Sequence, residues 1–311
     1  MKYIRTPEKY FKNLKDYSFR PNYIDVDGLR MHYVDEGPKT APIVLLLHGE
    51  PTWSYLYRFM IMDIQKAGFR VIAPDLIGFG KSDKLLSAED YTYANHIKWM
   101  KLFIINLDLF EISVFFQDWG SLIGLRVLVD EEDRFARAIL SNGALPSGRQ
   151  RISKAFKYWR AFSKYSPWFP IGQIVKMGCA RNLSSSAMDA YDAPFPQSKY
   201  KIGARKFPRL VPINPSDIES KNNYEAFKKL TSWKKPFLTL FGDRDPITRG
   251  AEKIFQKEIP GCKGQEHRII KNAGHFIQED QSEKLSELII CLLYTSPSPR
   301  DRTRSRMPSS A

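Results

Sequence analysis

The sequence is poor in cysteine and in long apolar runs. It has only three cysteines among 311 residues, Cys179, Cys262 and Cys291, and their odd number and wide spacing argue against a disulfide framework and against a Cys-x-x-Cys metal site. No uninterrupted apolar segment approaches the roughly 20 residues that a membrane helix needs, and the N-terminal residues lack the apolar stretch of a secretory signal. We therefore expect free thiols, no metal, and a soluble, cytoplasmic protein.

Motifs for phosphate, nucleotide and nucleic-acid binding are also missing. The glycine-rich loop at residues 75–83 has neither the spacing of a P-loop nor that of a dinucleotide-binding turn, so we interpret it as a structural turn. The formal net charge of +14 is carried by scattered Lys and Arg residues without a recognised nucleic-acid motif. We expect a solvated basic surface, no organic cofactor, no nucleic-acid partner and no membrane partner.

Strand and helix signals alternate along the chain, which predicts the α/β class. Short continuous apolar runs, such as Ile43–Leu47, suit strands that are buried on both faces of a mostly parallel sheet flanked by helices. The eight predicted strands are Asn22–Val26, Met31–Asp35, Ile43–Leu47, Arg70–Ala73, Ile112–Phe116, Ala136–Leu140, Phe237–Phe241 and His267–Ile270.

Composition divides the chain into three parts. The interval 147–227 is rich in aromatic residues and is broken by prolines such as Pro167 and Pro194, which predicts an inserted helical cap. Residues 1–146 and 228–290 then form one core domain. From residue 291 the sequence turns abruptly to Ser, Pro and Arg and resembles a translated sequencing adapter. We interpret residues 291–311 as a disordered, non-native read-through tail; the alternative is a natural disordered tail.

The strongest functional signal is an aspartate in a tight turn. The strand predicted at Ile112–Phe116 is followed by a Gln-Asp-Trp-Gly segment and then by a helical pattern, as in a nucleophile elbow. In such an elbow the backbone N–H of the next residue, Trp119, is aimed at the developing negative charge. Asp118 needs no base to deprotonate it, and a carboxylate can displace a leaving group from saturated carbon to give an ester that water then cleaves.

Two further segments complete a hydrolytic set. Asp245 and His275 each follow a predicted strand, and the order nucleophile, acid, histidine is that of α/β-hydrolases. We predict that His275 is the general base for water and that Asp245 orients it, with Asp243 as the alternative acid. The His-Gly-Glu-Pro segment at residues 48–51 predicts a second oxyanion-hole donor, the backbone N–H of Glu50; the alternative is a plain turn after a strand.

With these segments in place, the chain resembles the haloalkane dehalogenases of the α/β-hydrolase superfamily. The resemblance extends from Arg5 to about Ile290. The matching segments are HGEPTWSYLYR at 48–58, VIAPD at 71–75, GFGKSDK at 78–84, QDWG at 117–120, APFP at 193–196 and RKFP at 205–208. In one branch of the family a carboxylate occupies the position of Asn142. The amide found there favours the branch whose triad acid follows the seventh strand, with Asp245 as that acid.

The resemblance also implies a halide site. In the family the residue after the nucleophile is a tryptophan whose indole N–H holds the halide, which corresponds to Trp119. A second tryptophan comes from the cap, and its position falls near Cys179, where this chain has no indole. Trp159 is the predicted substitute and Trp168 the alternative, with plain packing as the competing interpretation of each. The pocket positions implied in the same way are Leu122, Pro208 and Val211, for which ordinary core packing is the alternative.

The predicted function is hydrolytic dehalogenation of haloalkanes to a primary alcohol and halide through an alkyl-aspartyl ester, by a monomer whose partners are haloalkane, water and halide. The first alternative is an epoxide hydrolase with the same nucleophile, for which the candidate ring-opening acids are Tyr158, Tyr165 and Tyr191. The second alternative is a non-catalytic binding protein of the same fold. One departure from the family is Phe116, two residues before the nucleophile, where a small or β-branched residue is usual; we expect crowding there.

Overall fold

The computed structural model describes residues 1–150 and 152–296, and its centre is an eight-stranded sheet. The strands of this sheet are β2 (Asn22–Val26), β3 (Leu29–Glu36), β4 (Ile43–Leu47), β5 (Arg70–Pro74), β7 (Ile112–Gln117), β8 (Phe135–Ser141), β9 (Phe237–Gly242) and β10 (Arg268–Ile270). Two short strands, β1 (Tyr3–Ile4) and β6 (Lys84–Leu85), form a separate antiparallel pair. All eight predicted strands are confirmed, with ends that differ by at most two residues.

The strand order across the sheet is β10-β9-β8-β7-β4-β5-β3-β2. Strands β2 and β3 form an antiparallel hairpin, because Asp27 and Gly28 adopt the positive φ values, 61° and 79°, that a tight hairpin turn requires. Strand β3 is also antiparallel to β5, whereas every pairing from β5 to β10 is parallel. The predicted mostly parallel sheet is confirmed.

Helices cover the sheet in two groups, which also confirms the α/β class. The helices outside the β8–β9 connection are α1 (Arg58–Lys66), α2 (Tyr93–Asn106), α3 (Trp119–Asp130), α9 (Glu252–Glu258) and α10 (Ile277–Thr295). Helix α1 packs on α10, and α2 packs on α3. Every residue of β7 and β9 is buried, because the apolar runs of these strands face helices on both sides.

Among the described residues, the connection between β8 and β9 contains five α-helices. They are α4 (Lys154–Tyr165), α5 (Ile171–Gly178), α6 (Ser185–Asp192), α7 (Ile202–Leu210) and α8 (Ile218–Leu230). The last of these packs on α3, where Arg126 Nη1 donates to Glu219 Oε2 at 3.0 Å. The side-chain amide of Asn223 donates to the Pro146 carbonyl at 2.8 Å. Helix α8, which spans the predicted cap boundary at residue 227, therefore lies against the core.

The C-terminal helix extends beyond the predicted start of the tail. Helix α10 continues to Thr295, with Leu292 and Leu293 buried and with the Tyr294 hydroxyl donating to the Ala67 carbonyl at 2.9 Å. The prediction of disorder from residue 291 is therefore wrong for residues 291–295, because an apolar face of the helix persists to that point. Residues 297–311 of the predicted tail lie outside the described residues.

Two expectations from composition can be compared with the described part of the chain. None of its helices combines the length and the apolar composition needed to cross a bilayer. All three cysteines are free thiols, as predicted.

Candidate active site

Asp118 lies at the turn between β7 and α3. Its backbone has φ 49° and ψ −125°, a left-handed conformation that non-glycine residues adopt rarely and at a cost in strain. The Asp118 N–H donates to the Asn142 carbonyl at 3.1 Å, which ties the turn to the end of β8. A Cβ on Gly49 would lie 2.2 Å from Asp118 Oδ1, so only glycine lets the loop after β4 approach the carboxylate this closely.

The ring of Phe116 packs against Gly124, which is eight residues further along the chain. The fully buried ring of Phe116 lies against Gly124 in α3, where an added Cβ would come within 2.3 Å of its Cδ1 atom. The missing side chain of Gly124 therefore provides the space for the ring. The crowding expected at the elbow itself stays a prediction.

The loop after β4 supplies a donor to the nucleophile. The Glu50 N–H donates to Asp118 Oδ1 at 2.7 Å, as predicted for an oxyanion-hole donor. The buried ring of His48 holds this loop, because its Nδ1 lies 2.9 Å from the Gly49 carbonyl and its Nε2 accepts the Leu76 N–H at 2.9 Å. No hydrogen bond from the Trp119 N–H to Asp118 occurs among the described residues, so its part as the second donor stays a prediction.

His275 lies between two carboxylates. Its Nε2 is 3.4 Å from Asp118 Oδ2, and its Nδ1 is 3.2 Å from each oxygen of Asp245. Asp245 also accepts the N–H groups of Ile247 at 2.9 Å and Thr248 at 3.3 Å, and the Thr248 hydroxyl. Nucleophile, imidazole and acid thus form one line at the carboxyl ends of the strands.

The alternative acid, Asp243, is directed elsewhere. Its carboxylate accepts the Ala273 N–H at 3.2 Å, which joins the loops after β9 and β10. The described ion pairs of His275 are with Asp118 and Asp245 alone. Asp245 is therefore the acid that the structure brings to His275.

The charges around His275 determine its protonation. Burial lowers the pKa of His275, but the negative charges of Asp245 and Asp118 and their hydrogen bonds outweigh burial and raise the pKa above its ordinary value. For Asp245, burial acts to raise the pKa, and the charge and hydrogen bond of His275 overcome it and lower the pKa. Both carboxylates thus favour the protonated form of His275.

The side-chain amides of Asn142 and Gln117 hold the loop that carries His275. These contacts were not predicted from the sequence. Asn142 donates to the carbonyls of Gly274 at 2.7 Å and His275 at 3.0 Å, and its Oδ1 accepts the Gly242 N–H at 2.8 Å. The side-chain amide of Gln117 donates to the His275 carbonyl at 3.2 Å. A polar residue at the end of a buried strand is the only sequence signal for either contact.

The nucleophile opens into a cavity of about 1000 Å³ beneath the cap. The predicted site residues that line it are Glu50, Asp118, Trp119, Leu122, Trp159, Pro208, Val211 and His275. The Trp119 ring packs against Tyr93 and Phe207, with ring centroids 5.1 and 4.7 Å apart. The cavity therefore joins the carboxylate to two indoles and to predominantly apolar walls.

The two cap tryptophans differ in position. Trp159 on α4 lines the cavity and stacks on Phe162 and Phe169. Trp168 is 69% exposed and does not line the cavity. The Cys179 thiol contacts the Val175 carbonyl, 3.2 Å away, and is not part of the cavity wall. Of the indoles considered for the second halide donor, only Trp159 lies at the site.

The side chain of Glu50 is a second buried carboxyl beside the nucleophile. Burial and the charge of Asp118 raise the pKa of Glu50 well above its ordinary value, while His275 and a hydrogen bond from Trp159 act in the opposite direction. Its Oε1 atom is buried without a hydrogen-bond partner. The surroundings of the side chain thus favour its neutral form beside the Trp159 indole, a feature that the backbone prediction for Glu50 did not include.

The remaining motifs are structural. The Asp75 carboxylate accepts the N–H groups of Ser54 and Lys81, each at 2.8 Å, and lies 2.7 Å from His32 Nδ1. The loop at residues 75–83 is therefore a structural turn, as predicted. Among the described residues, no cluster of three His, Cys, Asp or Glu side chains is arranged to hold a metal ion.

A parallel sheet with a strained nucleophile turn, followed along the chain by an acid and a histidine, defines an α/β-hydrolase. A family model described as the alpha/beta hydrolase fold matches residues 42–282. This range includes the nucleophile turn, Asp245 and His275.

Similar proteins and solved structures assign the chain to a narrower family within this fold. A haloalkane dehalogenase from Psychrobacter cryohalolentis is 51% identical over 96% of this chain and 100% of its own length. One from Mycolicibacterium paratuberculosis is 50% identical over 93% of this chain and 98% of its own. The tetrameric structure of a haloalkane dehalogenase from Paraglaciecola agarilytica superposes with a TM-score of 0.87 at 36% identity, covering 95% of this chain and 99% of that one. The chain belongs to the haloalkane dehalogenase family.

Proposed function

We propose that the protein hydrolyses haloalkanes to alcohol and halide. The observation that carries the proposal is the placement of the Asp118 carboxylate. One of its oxygens is held by the Glu50 N–H, the other faces His275, and both lie at an apolar cavity. An uncharged alkyl halide fits such a cavity, and the carboxylate in it is poorly hydrated.

The first step is nucleophilic displacement. Asp118 Oδ2 forms a bond to the carbon that carries the halogen, and the carbon–halogen bond breaks with both electrons leaving on the halide. Oδ1 remains on the Glu50 N–H, which orients Oδ2 toward the substrate. The product of this step is a neutral alkyl-aspartyl ester and a halide ion.

The second step is hydrolysis of that ester. His275 accepts a proton from water, and the water oxygen attacks the ester carbon while the charge that develops on Oδ1 is stabilised by the N–H groups of Glu50 and Trp119. Collapse breaks the bond between the carbon and Oδ2, the alkoxide takes the proton of the new carboxyl group, and His275 keeps the proton that it took from water, which restores its starting protonated form; the one proton released per cycle is the one that His275 gives to solvent after the ester forms. The groups named supply every proton and electron pair, so the proposed reaction uses no cofactor.

Ester formation also changes the protonation of the base. Asp118 loses its negative charge when it is alkylated, so one of the two charges that raise the pKa of His275 disappears. The imidazole then releases its proton more readily and becomes able to act as a base. Asp245 keeps it oriented and stabilises the imidazolium formed during hydrolysis.

Trp119 and Trp159 are the proposed halide donors. Indole N–H is a donor without acceptor capacity, which suits a weakly hydrated anion in an apolar wall. The neutral state of Glu50 avoids a second negative charge beside the halide, and a halide would compete with Glu50 for the Trp159 N–H. Leu122, Pro208 and Val211 form the proposed walls of the pocket.

The other parts of the proposal concern the whole chain. Residues 147–227 act as a cap on the core of residues 1–146 and 228–290, the triad acid follows the seventh strand of the main sheet, and residues 291–311 derive from read-through. We further propose a monomer that acts in the cytoplasm; the tetrameric relative makes the oligomeric state worth measuring.

The geometry favours this reaction over epoxide hydrolysis. Tyr191 is buried and donates to Glu279, outside the cavity. Tyr165 is 73% exposed and lies outside the cavity, while Tyr158 is at its margin and 75% exposed. None of the three tyrosines is placed as a buried acid facing Asp118.

The test is an assay with two substrate panels. Chloro-, bromo- and iodoalkanes are followed by halide release, and epoxides are followed by diol formation. We expect halide release by the wild type and a loss of at least about 10³-fold in Asp118→Asn, because the nucleophile is removed. Diol formation without halide release would instead support the epoxide hydrolase.

A further inference from the structure

The net positive charge of the chain is concentrated in one segment. Residues 147–216 are 70 residues with 13 Lys and Arg and only two acids, Asp189 and Asp192, so they carry +11 of the net charge of +14. The asymmetry arises mainly because the other 32 acidic residues lie outside this segment. This imbalance favours an anionic partner for the surface, in contrast to the expectation of a solvated basic surface with no membrane partner.

Cations from two helices of this segment line a groove on the outside of the cap. The groove is formed by Lys157, Arg160, Ala161, Lys164 and Tyr165 of α4 and by Lys206, Arg209 and Leu210 of α7. Among the described ion pairs, the only carboxylate that meets these cations is that of Glu89, 3.1 Å from Lys206 Nζ. The remaining positive charge of the groove is available to a ligand with several negative charges.

Helix α4 separates its charged face from its cavity face. Lys154, Lys157, Arg160 and Lys164 follow one another at spacings of three and four residues and so share one side of the helix. Phe156, Trp159 and Phe162 line the catalytic cavity from the other side. The cationic side is therefore free to meet a partner without disturbing the cavity.

Aromatic residues border the cationic face. Tyr158, Tyr165 and Trp168 are 75%, 73% and 69% exposed, although each is a large ring that would gain by leaving water. Tyr158 and Tyr165 are on α4, and Trp168 is in the loop that follows it. Lys and Arg beside exposed aromatic rings is the composition of segments that lie at the surface of an anionic bilayer. In that setting the cations reach lipid phosphates and the rings lie at headgroup level.

We propose that the outer face of α4 and the groove beside α7 bind the surface of an anionic phospholipid bilayer. A second copy of the chain is disfavoured, because a symmetric contact through this face would oppose two cationic surfaces. The contact is peripheral, since no helix of the described residues can cross a bilayer. It does not rest on the proposed function, because none of the groove residues contacts Asp118 or His275.

The test measures binding of the full chain to vesicles by sedimentation. One set consists of phosphatidylcholine alone, and the other contains roughly one third phosphatidylglycerol. We expect binding to the anionic set only, with a strong decrease as salt is raised. Lys157→Gln with Lys164→Gln removes two exposed cations of the α4 face and is expected to weaken binding about 30-fold. Trp168→Ala is expected to weaken it as well.

The matched control removes two exposed cations from another helix. Lys253→Gln with Lys257→Gln on α9 makes the same change in net charge outside the cap and is expected to leave most of the binding intact. Circular dichroism and halide release should be unchanged in both double variants.

Three results would overturn the proposal. They are equal binding to neutral and anionic vesicles or to neither, equal losses in the α4 and α9 variants, and tighter binding to single-stranded RNA than to anionic vesicles at the same salt. Dissociation of an oligomer by Trp168→Ala in sedimentation velocity would instead show that a second copy covers this face.

Discussion

At the scale of single residues, the two oxygens of Asp118 have different surroundings. Oδ1 accepts the Glu50 N–H at 2.7 Å, while Oδ2 faces His275 Nε2 at 3.4 Å. The difference supports the proposed roles of Oδ1 in the oxyanion hole and of Oδ2 in the attack on carbon. Because Oδ2 is close to His275, the charge of Asp118 also raises the pKa of His275.

That coupling predicts the effect of Asp118→Asn on His275. The amide has the shape of the carboxylate without its charge, as the ester does, so the pKa of His275 should fall relative to the wild type. Titration of the His275 ring by NMR measures the shift. Because the folded pKa is raised, the stability that His275 contributes is present below its ordinary pKa of 6.5 and is lost as pH rises through the folded pKa. This loss should be smaller in Asp118→Asn. A His275 pKa unchanged by the substitution would contradict the proposed timing of the base.

The halide site gives a second residue-scale prediction. Trp119→Phe keeps the ring packing on Tyr93 and Phe207 but removes one N–H donor. Bromide binding should weaken by about 10- to 100-fold, in line with the 1.5–3 kcal/mol of a hydrogen bond to a charged group. Fluorescence quenching by bromide measures it. Trp159→Phe should weaken binding as well, whereas Trp168→Phe, at an exposed position outside the cavity, should not; equal effects of all three would contradict the site.

At the scale of elements, the nucleophile turn depends on the packing between β7 and α3. Phe116 on the strand fits because Gly124 on the helix has no side chain. Gly124→Ala should destabilise the fold by about 1–3 kcal/mol through overpacking, which exceeds the roughly 1 kcal/mol that alanine gains in a helix. In a Phe116→Ala background the same change should be neutral or stabilising, because the ring is gone. Urea unfolding of the four proteins measures this, and additive effects would contradict the account.

The elements also show how far sequence reasoning extends. Strand positions were predictable because β4 is a continuous apolar run and β7 and β9 are largely apolar, as expected of strands that a parallel sheet buries on both faces. Trp159 was the predicted second indole and does line the cavity, but that prediction came from the family resemblance, because α4 carries aromatic residues on its inner side and along its margin and periodicity alone cannot rank them. The packing partner of Phe116 could not be identified from neighbouring residues for a similar reason: Gly124 is on another element. The contacts of Asn142 with the loop of His275 depend on tertiary structure that no local pattern contains.

At the scale of the whole molecule, a buried ion pair connects cap and core. Arg58 on α1 donates from both Nη atoms to the Glu279 carboxylate on α10, and Tyr191 on α6 of the cap donates to the same carboxylate. Arg58 and Glu279 are each only 4% exposed, so neither charge is solvated if the other is lost. The pair therefore ties α6 to α1 and α10 through Tyr191.

Glu279→Gln should be strongly destabilising. The substitution leaves the Arg58 charge buried without a counter-charge, and breaking such a pair costs about 3 kcal/mol or more. Glu287→Gln on the same helix is the control, because its partner Lys284 is exposed and such pairs contribute about 1 kcal/mol or less. Chemical denaturation measures both. Equal decreases in the free energy of unfolding in the two variants would show that the buried pair contributes no more to stability than the exposed pair.

The central claim is that Asp118 becomes covalently alkylated and that His275 is needed to release the product. The most direct measurement is mass spectrometry of His275→Gln after exposure to a bromoalkane, followed by digestion. The account predicts an alkyl group on the peptide that contains Asp118, accumulating to about one per protein together with one equivalent of halide. Halide release without any adduct on that peptide would contradict it.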